Sequence, residues 1–98
     1  MSNKQANVIN LPGRIEVQPE RVEVRRGFSL ALRFLNPIPP KSARTRQRAK
    51  GAKWLDVENE SEGEIVITVP ENARKGAVLK YTLVIDGLGT LDPHIVVQ

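Results

Sequence analysis

Between Phe28 and Leu35 the chain alternates: Phe28, Leu30, Leu32 and Phe34 are separated by Ser29, Ala31, Arg33 and Leu35. A period of two puts each set on its own face of an extended segment, so this stretch predicts an amphipathic strand and one wall of the core. The period returns near the C-terminal end. Leu79, Tyr81, Leu83 and Ile85 alternate there with Val78, Lys80, Thr82 and Val84. β-Branched and aromatic residues favour a pleated, half-buried surface. Asp86, Gly87 and Gly89 break the pattern, and His94 to Val97 resumes it after Pro93. Gly76 to Val97 therefore predicts a closing hairpin. Its longer strand is expected near a sheet centre, buried on both faces, with the other strands packed around it.

Shorter alternations fill the rest. Ile15 and Val17 give one short strand, Val22 and Val24 another, and Ile65, Ile67 and Val69 a third that ends at Pro70. Pro19 separates the first two. Proline donates no hydrogen bond to a ladder, so this part belongs at a sheet edge or at a crossing between sheets. Leu11-Pro12-Gly13, Arg26-Gly27, Asn36-Pro37 and Glu71 to Gly76 read as turns. Pro37, Pro39 and Pro40 make a stiff extended connector. The sum is about six or seven short strands and no long helix, which predicts an all-β fold: a single antiparallel two-sheet β-sandwich, with periodicity leaving open an immunoglobulin-like or a related Greek-key topology. Residues 1–10 are polar and read as a flexible N-terminal tail, and residues 11–98 as the single domain.

Composition changes this picture little. With 98 residues, 40% hydrophobic and 27% charged, the chain has the make-up of one globular domain with one core. It holds no cysteine, which excludes disulfides, thiolate metal ligands and cysteine nucleophiles. No apolar run has the length of a signal peptide or a membrane span, so the expected location is cytoplasmic, with no membrane partner.

Charge changes it more. The formal net charge is +4, but six of the fifteen basic side chains, Lys41, Arg44, Arg46, Arg48, Lys50 and Lys53, lie together with no acid among them. The remaining nine face eleven acids, so the basicity belongs to residues 41–53. The run Ser42 to Lys50 has no apolar stripe to bury, so a helix there is marginal and a mobile loop that orders on binding is expected. Such a loop can meet an acidic protein surface or the phosphates of a nucleic acid, and Trp54 just beyond it can stack on a base. The plainer reading of Trp54 is a core residue that opens a strand.

Other candidates have plain readings too. Asp56, Glu58, Glu60, Glu62 and Glu64 recur at every second position; on one strand face they would attract a divalent cation or simply be solvated. His94 lacks any nucleophile motif that would give it a catalytic role. Gly87-Leu88-Gly89 lacks the Lys-Ser or Lys-Thr of a phosphate loop and reads as a hairpin turn. Tyr81 fits the corner tyrosine of a sandwich, its hydroxyl bonded to nearby backbone.

Val17 to Asn36, VQPERVEVRRGFSLALRFLN, resembles the opening of cupredoxin-like domains, and Val69 to Val97 resembles the end of the same fold and equally the last strands of immunoglobulin-like domains. The resemblance implies a β-sandwich. Cupredoxins hold copper with two histidines, a cysteine and usually a methionine. Here the loop Asp86 to Pro93 has none of these, and the chain's only histidine and methionine are His94 and Met1. The resemblance thus implies a copper-free relative, and electron transfer does not carry over. The sequence is read as a non-catalytic interaction module with no cofactor. Its site residues are Lys41, Arg44, Arg46, Arg48, Lys50, Lys53 and Trp54. An acidic partner protein is the first expectation and weak, sequence-independent nucleic-acid binding the alternative. A bare sheet edge could also pair with a second copy to give a homodimer.

Overall fold

The computed structural model describes residues 4–98. Ten strands form two open sheets around one core. They are β1 (Lys4–Leu11), β2 (Arg14–Gln18), β3 (Arg21–Val24), β4 (Ser29–Phe34), β5 (Ala43–Gln47), β6 (Val57–Glu58), β7 (Glu64–Thr68), β8 (Val78–Ile85), β9 (Gly89–Leu91) and β10 (His94–Val97). The first sheet runs β2-β1-β4-β7 and the second β3-β10-β8-β5-β6, with β9 also on β8. The only helical turn among the described residues is the 3-10 segment Lys53–Leu55.

The strongest alternations become the inner faces. Leu30, Leu32 and Phe34 of β4 meet Tyr81, Leu83 and Ile85 of β8 in one buried cluster, joined by Ile65, Ile67 and Ile95. Fully burying each such side chain contributes about 1.5–3 kcal/mol. The crossing at Pro19 is also as the sequence predicts: the chain leaves the first sheet after β2, passes the cis Gln18–Pro19 bond and enters the second sheet as β3.

Five expectations need correction. The sandwich is mixed rather than antiparallel, because β1 runs parallel to β4 and β3 parallel to β10. Lys4 to Asn10, expected as tail, belongs to β1, inserted between β2 and β4; Met1 to Asn3 lie outside the described residues. Its buried residues, Ala6 and Val8, are only two and small, and they stand among polar ones, which hid the alternation. β8 is central but buried on one face only: Lys80 is exposed and Thr82 and Val84 half-buried, because no third layer covers the outside of the second sheet. Finally, the core of the basic segment is not a loop. β5 pairs with β8 and β6, with Ala43 and Thr45 fully buried and Arg44 and Arg46 turned outward. Alanine and threonine are a modest inward set, yet a period of two suffices to bury one face of a central strand. The strand count rises from six or seven to ten as well, because β1 and β5 have small inward residues and β6 and β9 are only two and three residues long.

Candidate functional site

The backbone directions sort the turns to two ends. One end gathers residues 25–28, 48–53 and 70–77, and the other residues 35–42, 59–63 and 86–88. Hydrogen bonds hold each group together. At the first end the Gly27 amide donates to the Val69 carbonyl at 2.7 Å and the Gly76 amide to the Val97 carbonyl at 2.7 Å. Both glycines have positive φ, 83° and 86°, a conformation that costs side-chain-bearing residues energy and costs glycine none. A basic residue precedes each, as it precedes Gly51 in the third turn. At the other end the Asp86 amide donates to Ser42 at 2.9 Å, the Ile38 amide to Glu62 at 3.0 Å and the Lys41 amide to Asn59 at 2.8 Å.

The ends differ in charge. The first carries Arg25, Arg26, Arg48, Lys50, Lys53, Arg74 and Lys75 against Glu71, the one acid of these turns. The second carries Glu60, Glu62 and Asp86 against Lys41. Apart from Arg48, none of the cations at the first end forms an ion pair with a described residue.

The expected site residues therefore divide among three places. Lys41 lies at the acidic end, with an unusual φ of 64°. Arg44 and Arg46 lie on the outer face of the second sheet, and Arg48, at the start of the 48–53 turn, reaches with its side chain onto that face. Arg44 pairs with Asp86 at 2.9 Å and Arg48 with Asp92 at 3.3 Å, while Arg46 donates to the Thr45 carbonyl at 3.1 Å. Such partly exposed pairs contribute little to stability, about 0–1 kcal/mol, but they leave this face nearly balanced in charge. Lys50, Lys53 and Trp54 lie at the cationic end. There the structure adds Arg25, Arg26, Arg74 and Lys75, which the sequence reading passed over. The signal was available: in each turn basic residues stand immediately before a turn glycine.

Two hollows open at this end, on either side of the 70–77 turn. One, about 340 Å³, is lined by Lys50, Trp54, Asn72, Ala73, Arg74, Ala77 and Leu79, together with Ala49, Gly51 and Ala52. The other, about 640 Å³, is lined by Arg25, Arg26, Phe28, Glu71, Lys75 and Gln98. Trp54 and Phe28 are both half-buried and packed against the core, so each is at once a core residue and part of a surface hollow.

The remaining candidates resolve plainly. β6 holds only two residues, so the acidic series does not share one strand face. Asp56 accepts from the Gln47 amide at 2.7 Å, Glu58 lies opposite Arg44, Glu60 and Glu62 sit in a turn, and Glu64 opens β7. Among the described residues no three His, Asp or Glu side chains come together as a metal cluster. His94 is half-exposed on the outer sheet face between Lys80 and Arg21. Gly87 and Leu88 form the β8–β9 turn, closed by the Leu88 amide donating to Ile85 at 3.0 Å. Tyr81 is buried, which pushes its phenol well above its usual pKa, and its hydroxyl makes no corner hydrogen bond to a described residue.

One residue had no sequence signal at all. Asn59 is fully buried and fully used: its Oδ1 accepts from the Ala43 amide at 2.9 Å, and its Nδ2 donates to the Pro39 and Ser61 carbonyls at 3.0 and 2.8 Å. It ties three segments together at the acidic end.

No protein-family model matches this chain, and no curated protein matches it.

Proposed function

We propose that this protein is a non-catalytic docking module that binds an acidic surface of a partner protein through its cationic end. The convergence of three separate basic turns on that end, with their cations largely unpaired, is the observation that carries the reading. Charges brought together from distant parts of the chain raise the local potential, steer an acidic partner and suppress cationic ones. The sandwich beneath serves as rigid support for these turns. We infer that it is immunoglobulin-like rather than cupredoxin-like. The order β10-β8-β5-β6 corresponds to the G-F-C-C′ sheet of variable-type immunoglobulin domains, and β4 beside β7 corresponds to strands B and E. β1, between β2 and β4, is a departure from that pattern.

A second reading has its own observation. Two of the chain's four aromatic residues, Trp54 and Phe28, are half-buried at the cationic end, which would suit stacking on the bases of a single strand. Glu71 argues against it, because it places a carboxylate beside Arg25, Arg26 and Lys75, where a phosphate would have to sit. Fluorescence anisotropy of labelled polyglutamate, single-stranded DNA and RNA, at about 50 and 200 mM salt, separates the two readings. Docking to acidic protein predicts binding of polyglutamate that weakens with salt and no tighter binding of the nucleic acids. Tighter binding of DNA or RNA would transfer the site to the second reading.

A further inference from the structure

We propose that the hollow beside Trp54 is an anchor pocket for one aromatic or large aliphatic side chain, presented by an acidic segment of the partner protein. The proposal rests on the docking reading above and deepens it, from attraction by charge to recognition of a particular kind of segment.

The lining carries the argument. Trp54, Leu79, Ala73 and Ala77 are all half-buried and form an apolar floor and walls. The space exists because the surrounding positions are small: Ala49, Gly51 and Ala52 on one side, Ala73 and Ala77 on the other. At about 340 Å³ the hollow lies at the low end of ligand pockets, large enough for one side chain and small for a cofactor. Its polar groups are the Lys50 ammonium, the Arg74 guanidinium and the Asn72 amide, and no carboxylate lines it. Neither cation has an ion-pair partner among the described residues. An apolar side chain with acidic neighbours satisfies both halves of this lining. The side chain fills the floor, and the neighbouring carboxylates meet Lys50 and Arg74. Partner hot spots of this kind, a buried anchor ringed by charged contacts, supply most of the energy of a small interface.

The other cavities lack this match. The groove between the edges of β2 and β9 is larger, about 660 Å³, but its rim mixes Arg14, Glu16 and Glu20, and Arg14 already pairs with Glu16 at 3.2 Å. The hollow beside Phe28 contains its own carboxylate, Glu71. A nucleobase fits the Trp54 hollow less well than a side chain does. Leu79 and the alanines offer it no second aromatic surface, and the two rim cations do not form a track along a phosphate backbone.

Trp54 is the only tryptophan, so its fluorescence reads the pocket directly. The probes are two capped pentapeptides, one with phenylalanine between two pairs of aspartates and one with alanine in its place, and a thymidylate oligomer. The proposal predicts that the phenylalanine peptide binds roughly tenfold more tightly than the alanine peptide and shifts the Trp54 emission. Ala73→Leu, which fills the hollow, should erase that difference while leaving the alanine peptide's affinity unchanged. If this variant melts at a much lower temperature, Ala77→Leu takes its place, and the peptide comparison on the unaltered protein decides by itself. Equal binding of the two peptides with Trp54 unmoved overturns the anchor pocket and leaves charge docking standing. No binding by either peptide sinks both. A shift of Trp54 with thymidylate but not with the phenylalanine peptide would assign the pocket to a base instead.

Discussion

The two ends of the sandwich are built on opposite principles. At the acidic end a buried amide does the organising: Asn59 joins the 35–42 connector, the start of β5 and its own turn through three side-chain hydrogen bonds, one buried and two part-buried. At the cationic end the turns are held by glycine backbones, and the side chains are left for solvent or a partner. Polar groups satisfied inside a low-dielectric core are costly to disturb, while exposed charges contribute little to stability. The contrast therefore separates an end that maintains the fold from an end that is available to act.

Mutations should reproduce this division. Asn59→Ala leaves the Ala43 amide and the Ser61 carbonyl without their Asn59 partner and takes one donor from the Pro39 carbonyl, which keeps Ser42, and should cost about 3 kcal/mol, lowering the melting temperature by more than about 10 °C. A change of only a few degrees would show that the acidic end is not fixed as described. Thr45→Val comes next. The buried Thr45 hydroxyl donates to the Leu55 carbonyl and accepts from the Val57 amide, and its loss should cost about 1–2 kcal/mol in urea unfolding. Lys41→Gly should act in the other direction, stabilising by up to about 1 kcal/mol, because it relieves a positive φ at a non-glycine residue. Arg74→Glu with Lys75→Glu should change unfolding stability least, by under about 0.5 kcal/mol, since neither residue is paired. A large loss there would mean that the cationic end also holds the fold.

The core shared by both ends gives a pH test. Burial raises the Tyr81 pKa in the folded state above its ordinary value of 10.0. The unfolded chain then releases this proton first, so the contribution is constant below about pH 10 and stability falls as pH rises beyond it. Tyr81 is the only tyrosine, so tyrosinate absorbance should appear together with unfolding, and Tyr81→Phe should flatten this alkaline dependence.

Long alternations of large apolar residues were legible from sequence, and they became β4, β7 and β8. Pro19 correctly marked the passage between sheets. What escaped were strands whose inward residues are small, Ala6 and Val8 in β1 and Ala43 and Thr45 in β5, because charge and polarity dominate those segments. The site was legible only in part for a related reason. A run of cations in sequence is spread by a strand over different surfaces, whereas Arg25, Arg26, Arg74 and Lys75, distant in sequence, meet at one end through the topology. Asn59 was invisible because nothing in the sequence separates a buried asparagine from a turn asparagine.

The most direct test of the docking surface compares two charge reversals for binding of labelled polyglutamate at about 50 mM salt, where electrostatic attraction is least screened. One variant converts Arg25, Arg26, Arg74 and Lys75 to Glu, and the other converts Arg44, Arg46 and Arg48 to Glu on the outer sheet face. The first variant should abolish binding and the second should retain most of it. Retained binding in the first variant and loss in the second would place the docking surface on the sheet face and rule out the cationic end.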